Sequence, residues 1–521
     1  MLSHLTRSRA LALRSGRLTT VLGQQSYRAA SPLSQLACLR TSAQEAARPL
    51  HDGIGGISVT TDGAPAAPAT ASSKINEVLQ AQDEQDEFWR KTLIWADTPA
   101  KDFLSYRWSV SQDVHHAPVA KTTDMVQVAN TVQGTPKLVR FLNAVLPDHV
   151  PLESSDSALQ SRDELIKDVL DGVTAATMAI RITPYILSRI DWENPRQDPL
   201  FRQFLPLKSM MKPDHPKLTL DSLHEEADSP VKGLVHRYPD KALFLPTSVC
   251  PTYCMFCTRS YAVGADTDTV TKHSLKPTRK RWDEAFAYIE SQPQLCDIVV
   301  SGGDSYYLLP EHLLMIGERL VGMPNIKRFR FASKGLAVAP TRILDGAEDG
   351  WVDALIRVSD MARRSGKAMA LHTHFNHPNE ISWVTRLAAR RLMEAGVTVR
   401  NQSVLLRGVN DDVETMSRLI RELADSNIFP YYVYQCDMVE KVEHLRTPLQ
   451  TILDLEAQIR GSIAGFMMPQ FVVDLPGGGG KRLACSHKSY DRATGVSTYM
   501  APAVTGRGKA DKVYEYYDPL E

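Results

Sequence analysis

No stretch of about 18 consecutive apolar residues occurs in this 521-residue chain, so the sequence encodes no helix able to span a bilayer. A charge bias is missing as well: 60 Lys and Arg stand against 60 Asp and Glu, for a formal net charge of zero. With no field of one sign, neither nucleic acid nor an anionic membrane surface is expected as a partner. Cysteine is scarce. Of seven in the chain, three crowd into the stretch from Cys250 to Cys257, a distribution that excludes a secreted disulfide framework and fits a reducing compartment.

Acidic residues are absent from the start of the chain. Residues 1–44 carry Arg7, Arg9, Arg14, Arg17, Arg28 and Arg40 among Ser, Ala and Leu, and no Asp or Glu precedes Glu45. This composition reads as a mitochondrial transit peptide, which directs the protein to the matrix; a disordered basic tail is the alternative. Cys38 would leave with such a presequence. Residues 45–74, rich in Gly, Pro, Ala, Ser and Thr, read as a disordered linker.

The remainder, in a chain that is 43% hydrophobic, can bury one large core plus an accessory region, and two or three ordered units are expected. Residues 75–228 read as a mostly helical region. NEVLQAQDEQDEFWRKTLIWA and DELIKDVLDGVTAATMAIRITPYILSRI space apolar residues by three and four, with Pro-rich breaks between them. From 229 to 475, ALFLPTSV, CDIVVSGGD, RFRFAS, KAMALHTHF, VTVRNQSVLL and IFPYYVYQCD read as strands separated by amphipathic helices. The expected fold class is therefore α/β, with a parallel sheet curved into an open partial barrel whose chemistry lies in the loops after the strands. Residues 476–521 form a C-terminal segment.

Four motifs fall in such places. Cys250, Cys254 and Cys257 follow C-x3-C-x2-C spacing. Three thiolates can hold three irons of a [4Fe–4S] cluster and leave the fourth iron open to chemistry, whereas a structural zinc needs a fourth ligand and more often shows paired C-x2-C spacing. The x3 spacing resembles that of the radical S-adenosylmethionine (SAM) enzymes, in which SAM occupies the open iron. Ser301-Gly302-Gly303-Asp304 follows a strand, where unpaired N–H groups can bind a carboxylate or phosphate; a simple strand-to-helix turn is the plainer reading. His372, His374 and His377 suggest a metal triad, but His377 lies in the following turn, and hydrogen bonding to a ligand is preferred. Pro476-Gly477-Gly478-Gly479-Gly480-Lys481 is not a P-loop, since Arg482 stands where Ser or Thr is needed. A lysine on so mobile a backbone suits a Schiff base with a carbonyl cofactor such as pyridoxal phosphate (PLP), or is a solvated turn.

Taken together, HRYPDKALFLPTSVCPTYCMFCTR, SGGD, HTHFNHPNE, NQSVLLRGVND, PYYVYQCDMVEKVEHLRTP and FVVDLPGGGGK resemble, in order and composition, the lysine 2,3-aminomutase family of PLP-dependent radical SAM enzymes. The likeness covers roughly Ser229 to Gly480. It implies a radical SAM partial (β/α)6-type barrel, an isomerase that moves the α-amino group of L-lysine to the β-carbon, and the cofactors [4Fe–4S], SAM and PLP. Cys250, Cys254 and Cys257 would hold the cluster, and Gly302, Gly303, Asp304 and His374 would line the SAM site. Lys481 would bond covalently to PLP, with Arg237, Tyr238 and Gln402 around that cofactor. Arg259 would pair with the substrate carboxylate, and Asp437 with Asp474 would hold the distal ammonium, which a buried cation needs. A ferredoxin- or flavodoxin-type electron donor and a homo-oligomer are implied as well. Ornithine, arginine or protein-bound lysine are alternative substrates, and a cluster-carrying protein without turnover is the alternative of another class.

The chain departs from the family pattern at several points. Met255-Phe256 and Ser260-Tyr261 replace basic residues around the third cysteine, Lys241 replaces an arginine, and Ser333-Lys334-Gly335 replaces Ser-Arg-Thr-Pro. Asp412 stands where some members have a zinc-ligating cysteine, so no structural zinc is expected. The tail after Lys481 is hardly recognisable, which bears on the oligomer contacts.

Overall fold

Helices begin where the sequence caps them. The computed structural model describes residues 87–104, 130–152, 158–273, 275–344, 350–504, 509 and 511–520. All of these fall within one unit, Pro68–Glu521. The expectations for 1–44 and 45–74, and the first half of the NEVLQ pattern, lie outside the described residues. In the N-terminal region, α1 (Thr135–Val145) starts on Pro136 and buries Leu138, Phe141 and Leu142. Next, α2 (Arg162–Ala175) starts on a capping box between Ser161 and Glu164.

The helical pattern of 163–190 does not run through. It stops at Ala175, and Arg181–Ile182 instead pair antiparallel with Val132–Gln133. β-Branched Ile180, Ile182 and Thr183 favour extended backbone there, and the Arg181 carbonyl is taken by the Tyr253 N–H at 2.9 Å. That bond ties the accessory region to the cysteine loop. The two share one hydrophobic core.

The barrel follows the predicted alternation. Its elements in order are β1 (Leu234–Val235), β2 (Lys241–Thr247), α3 (Arg279–Glu290), β3 (Asp297–Gly302), α4 (Pro310–Gly322) and β4 (Arg328–Ala332). They continue with α5 (Trp351–Arg364), β5 (Ala368–Thr373), α6 (Trp383–Glu394), β6 (Thr398–Leu405), α7 (Val413–Asp425) and β7 (Ile428–Gln435). The series ends with α8 (Leu449–Ile459), β8 (Gln470–Leu475) and β9 (Gly480–Leu483). Strands β2 to β8 are parallel neighbours, and antiparallel β1 and β9 flank them without pairing to each other, so the sheet stays open.

Period-two alternation divides this sheet into two faces. Ile298, Val300, Phe329, Phe331, Leu371, Val399 and Phe471 are buried on the face where the helices pack. Residues of the other parity, among them Val299, Ser301, Arg330, His372, Gln402, Tyr434 and Asp474, line a central cavity. Asp412 caps α7 by accepting the Thr415 N–H at 2.8 Å.

After β9 the tail forms an antiparallel meander of β10 (Ser489–Asp491), β11 (Val496–Met500) and β12 (Val513–Tyr517). Tyr516 of β12 donates to the Cys436 carbonyl at 2.9 Å, and Leu520 N–H donates to Glu443 at 2.6 Å. Glu443 in turn pairs with Arg446 at 2.7 Å, both side chains wholly buried. An Arg446→Ala chain leaves that carboxylate buried without its cation and should lose about 3–5 kcal/mol. Chemical denaturation followed by circular dichroism checks this; an unchanged midpoint would show that the pair is not what holds the tail.

Candidate active site

The face of the sheet left free of helices encloses a cavity of 460 Å³, and all fourteen residues singled out in the sequence line it. They arrive from eight separate places: the segment before β2, the cysteine loop after it, the ends of β3 and β5, the in-facing side of β6, the end of β7, and β8 and β9.

The cysteine loop has no regular structure of its own. Neighbouring backbone holds it: Met255 N–H donates to the Gln203 backbone carbonyl at 2.9 Å, and Gly264 N–H to the Ser248 carbonyl at 2.9 Å. Cys250, Cys254 and Cys257 are free thiols. Burial pushes all three up, Cys254 to about 12, and in each case a neighbouring acid or thiol adds to the rise. Three adjacent, partly buried thiols that resist ionisation together need a strongly cationic group to become thiolates. Among the described residues no three His, Cys, Asp or Glu gather closely enough to hold a single metal ion. The donor set fits a multi-iron cluster, whose cysteines bind separate irons, better than one zinc ion.

The Gly302-Gly303 pair serves this loop as a turn after β3, and the N–H groups of Gly303 and Asp304, which could have met an anion, are taken by backbone. Gly303 N–H donates to the Thr247 carbonyl at 2.7 Å, and Asp304 N–H to Val249 at 2.9 Å. A Cβ on Gly302 would collide with the Thr247 carbonyl, and one on Gly303 would lie 2.5 Å from Val249. The glycines thus let β3 approach the chain that leads into Cys250. The Asp304 carboxylate accepts the N–H groups of Tyr306 and Lys334, each at 2.7 Å, and joins the ends of β3 and β4. The histidines do not converge. His374 Nδ1 bonds the Gln402 carbonyl at 2.7 Å, His377 Nδ1 accepts the Asn379 N–H at 3.0 Å, and His372 faces the cavity. Burial and then Lys334 depress His374 to about 3, so its imidazole is neutral.

Lys481 lies directly across the β8–β9 ladder from Asp474. Its Nζ is 2.6 Å from Asp474 Oδ2 and 5.5 Å from the centre of the Tyr434 ring, and its N–H donates to the Tyr238 hydroxyl at 2.9 Å. Burial works to lower this amine, but Asp474, with Tyr434 and Tyr238, more than reverses it and leaves the pKa well above the usual lysine value. Asp474 is 6% exposed, and among the described residues its Oδ1 has no partner. Asp437 accepts the Thr258 hydroxyl at 2.6 Å, and burial, then Asp474, raises it to about 7. A reactive amine, a second acid and an unsatisfied carboxylate oxygen in one cavity fit a covalently held carbonyl cofactor and a cationic ligand.

Three partners of these residues escaped the sequence reading. Glu225, 3% exposed, takes Arg259 Nε and Nη2 at 2.8 and 2.7 Å and the Tyr261 hydroxyl at 3.1 Å. One edge of the guanidinium is thus occupied by the protein. Asp228 accepts Arg237 Nε at 2.8 Å. Lys334 pairs with buried Glu380 at 2.7 Å and donates to the His374 carbonyl at 2.7 Å. Only Lys334 carried a signal, as a departure from the family pattern; Glu225 lies 34 positions from Arg259 and Glu380 lies 46 from Lys334, while Asp228, nine from Arg237, stands in no motif.

No family model matches the chain. It is 37% identical over 355 residues to the L-lysine 2,3-aminomutase of Acetoanaerobium sticklandii, covering 68% of this chain and 76% of that protein. It is 39% identical over 319 residues to the L-lysine 2,3-aminomutase of Clostridium subterminale, covering 61% of this chain and 72% of that one. Among solved structures, SuiB of Streptococcus suis bound to S-adenosylmethionine is similar at 12% identity with a TM-score of 0.33, over 46% of this chain and 51% of that one. With the motifs of that family gathered around one cavity and more than two thirds of two such relatives covered, the chain belongs to the L-lysine 2,3-aminomutase family.

Proposed function

We propose that this protein is a radical SAM, PLP-dependent aminomutase that moves the α-amino group of L-lysine to the β-carbon, giving β-lysine. The observation that carries the reading is the paired acids Asp437 and Asp474 in the same cavity as the Lys481 amine, with Asp474 Oδ1 unsatisfied. A [4Fe–4S] cluster on Cys250, Cys254 and Cys257 would cleave SAM to a carbon radical, and PLP on Lys481 would supply the π-system through which nitrogen migrates.

The chain's own residues then have definable tasks. The raised pKa of Lys481 makes its resting amine an ammonium, which must give up a proton before it can attack a carbonyl; Asp474 Oδ2, 2.6 Å away, is placed to receive it. Once Asp474 has passed that proton on to water and Lys481 is engaged elsewhere, the Asp474 carboxylate is free for a substrate ammonium, with Asp437 as the second acid. Arg259 offers its remaining edge to the substrate carboxylate, and the Glu225–Tyr261 clamp fixes the direction of that edge. Arg259 and Glu225 cancel in charge, so the two aspartates select a ligand with a distal cation. The sheet and its helices keep water from the reacting carbons. A ferredoxin- or flavodoxin-type donor would supply the electron, and homo-oligomerisation and matrix placement complete the reading.

Anaerobically reconstituted protein given iron, sulfide, PLP, SAM, dithionite and L-lysine should form β-lysine by chromatography, and Lys481→Ala should abolish product while keeping the visible absorbance of the cluster. Turnover by that variant would sink the assignment. Below pH 7 a bound ammonium must displace the Asp437 proton, so the KM for lysine should fall up to about tenfold per pH unit toward 7 and level off above it. Asp437→Asn should flatten that profile, and Glu225→Gln should raise KM more than it lowers kcat; a profile that Asp437→Asn leaves intact argues against the acid pair. Import into isolated mitochondria followed by N-terminal sequencing should show cleavage near residue 44, and an unprocessed chain outside the organelle would refute matrix placement.

A further inference from the structure

Residues 176–183, where the helical pattern gives way to extended backbone, bring to the cysteine loop a buried cation that the reading above leaves without a task. The Arg181 carbonyl takes the Tyr253 N–H at 2.9 Å, and Thr252 Oγ1 accepts the Thr183 N–H at 3.3 Å. This strand therefore runs against the backbone between Cys250 and Cys254. The Arg181 residue is 7% exposed. Its Nη2 donates to the Tyr307 hydroxyl at 2.5 Å, just beyond the Gly302-Gly303 turn, and its Nη1 donates to the Gln133 side chain at 3.3 Å. Among the described residues its Nε has no hydrogen-bond partner, and the guanidinium bonds no carboxylate. A buried guanidinium without an anion is costly unless a negative group close by offsets its lost hydration.

The three cysteines can provide that negative charge. Burial is the chief cause of their raised pKa values, and cations oppose it at each one: Arg181 at Cys250, Lys334 at Cys254, and Arg259 with Lys272 at Cys257. Two of these cations are already neutralised, Lys334 by Glu380 and Arg259 by Glu225. Arg181 and Lys272 bond only neutral groups among the described residues. Lys272 Nζ donates to the carbonyls of Thr177, at 2.5 Å, and Ser260, and so joins the segment that carries Arg181 to the other end of the same loop. Arg259 is the only basic residue between Cys250 and Tyr261, so the loop has no uncompensated cation of its own. Its positive surroundings come from outside. Reduction of a [4Fe–4S] cluster adds a negative charge to a site already holding thiolates, and an uncompensated cation beside it stabilises the reduced form more than the oxidised form. Buried Arg181 acts through protein, whereas half-buried Lys272 is screened by water and acts less.

We propose that Arg181 and Lys272 are positioning residues whose uncompensated charges raise the reduction potential of a cluster on Cys250, Cys254 and Cys257, with Arg181 the stronger of the two. The proposal rests on that cluster assignment. A higher potential lets a weaker reductant deliver the electron that SAM cleavage needs. The full chain and the variants Arg181→Gln, Arg181→Lys and Lys272→Met should be reconstituted anaerobically with iron and sulfide, and the midpoint potential of the cluster followed by electron paramagnetic resonance in a mediated dithionite titration. In Arg181→Gln the ratio of reduced to oxidised cluster at a given potential should fall about tenfold, about 59 mV for one electron, the order expected for one charge acting through several ångströms of protein. Lys272→Met should shift the same way by less, and Arg181→Lys, which keeps the charge, should match the unaltered chain. An unchanged or higher midpoint in Arg181→Gln overturns the proposal. A fall in Arg181→Lys as large as that in Arg181→Gln also overturns it, because the role is then structural, and an unmoved Lys272→Met removes that residue from it. Should Arg181→Gln take up no cluster, uptake by Arg181→Lys supports a requirement for charge; failure of both, in chains with normal melting curves, overturns it. If the unaltered chain takes up no iron and sulfide, the cluster assignment fails and the proposal falls with it, whereas a cluster whose potential ignores Arg181→Gln sinks the proposal alone.

Discussion

The reversal of the chain between β8 and β9 is the constraint on which the site depends. A further parallel strand would need a helical crossover, which would carry the following residues away from the cavity. Instead Pro476 and four glycines turn the chain back, with Gly477, Gly478 and Gly480 at φ of 71, 79 and 79°, a region that side chains disfavour. A Cβ at Gly479 would lie 2.7 Å from Leu475 and Tyr514, so the turn also leaves no room for one. The antiparallel register that results sets Lys481 against Asp474 and brings its amine into the cavity.

Around that pair the interior is rich in ions, and most of them are matched within the protein. Arg259 meets Glu225, Arg237 meets Asp228, Lys334 meets Glu380 and Arg446 meets Glu443. Leaving one partner of a buried pair alone costs several kcal/mol, which makes such matching close to obligatory. The groups left unmatched are then informative. Among the described residues Asp474 Oδ1 is buried in the cavity without a hydrogen-bond partner, a place where a ligand can complete what the protein does not.

The alternation of short apolar strands with amphipathic helices was legible because it reflects local geometry: period two places Phe329 and Phe331 under the helices, and spacing by three and four turns Met416, Leu419, Ile420 and Leu423 of α7 inward. It failed at 176–183, where pairing with Val132–Gln133 and a bond to the cysteine loop outweighed a pattern that looked helical. The glycines at 302 and 303 were legible as a tight turn after a strand, but that they let the chain approach the backbone of residues 247–249 was not.

By itself the sequence determined the parallel architecture, the cysteine spacing, the lysine after the glycine run and the identity of each acid and base that lines the cavity. These are matters of residue type and short-range order, which a linear string records. Tertiary structure alone decided which charges are already neutralised, because Glu225 lies 34 positions from Arg259 and Lys334 is 46 from Glu380. It also decided that His374 is held by the Gln402 carbonyl of β6 while His372, two residues earlier, faces the cavity. Pairings of that kind follow from how strands stack and which side chains close packing leaves within reach, and no spacing along the chain encodes them.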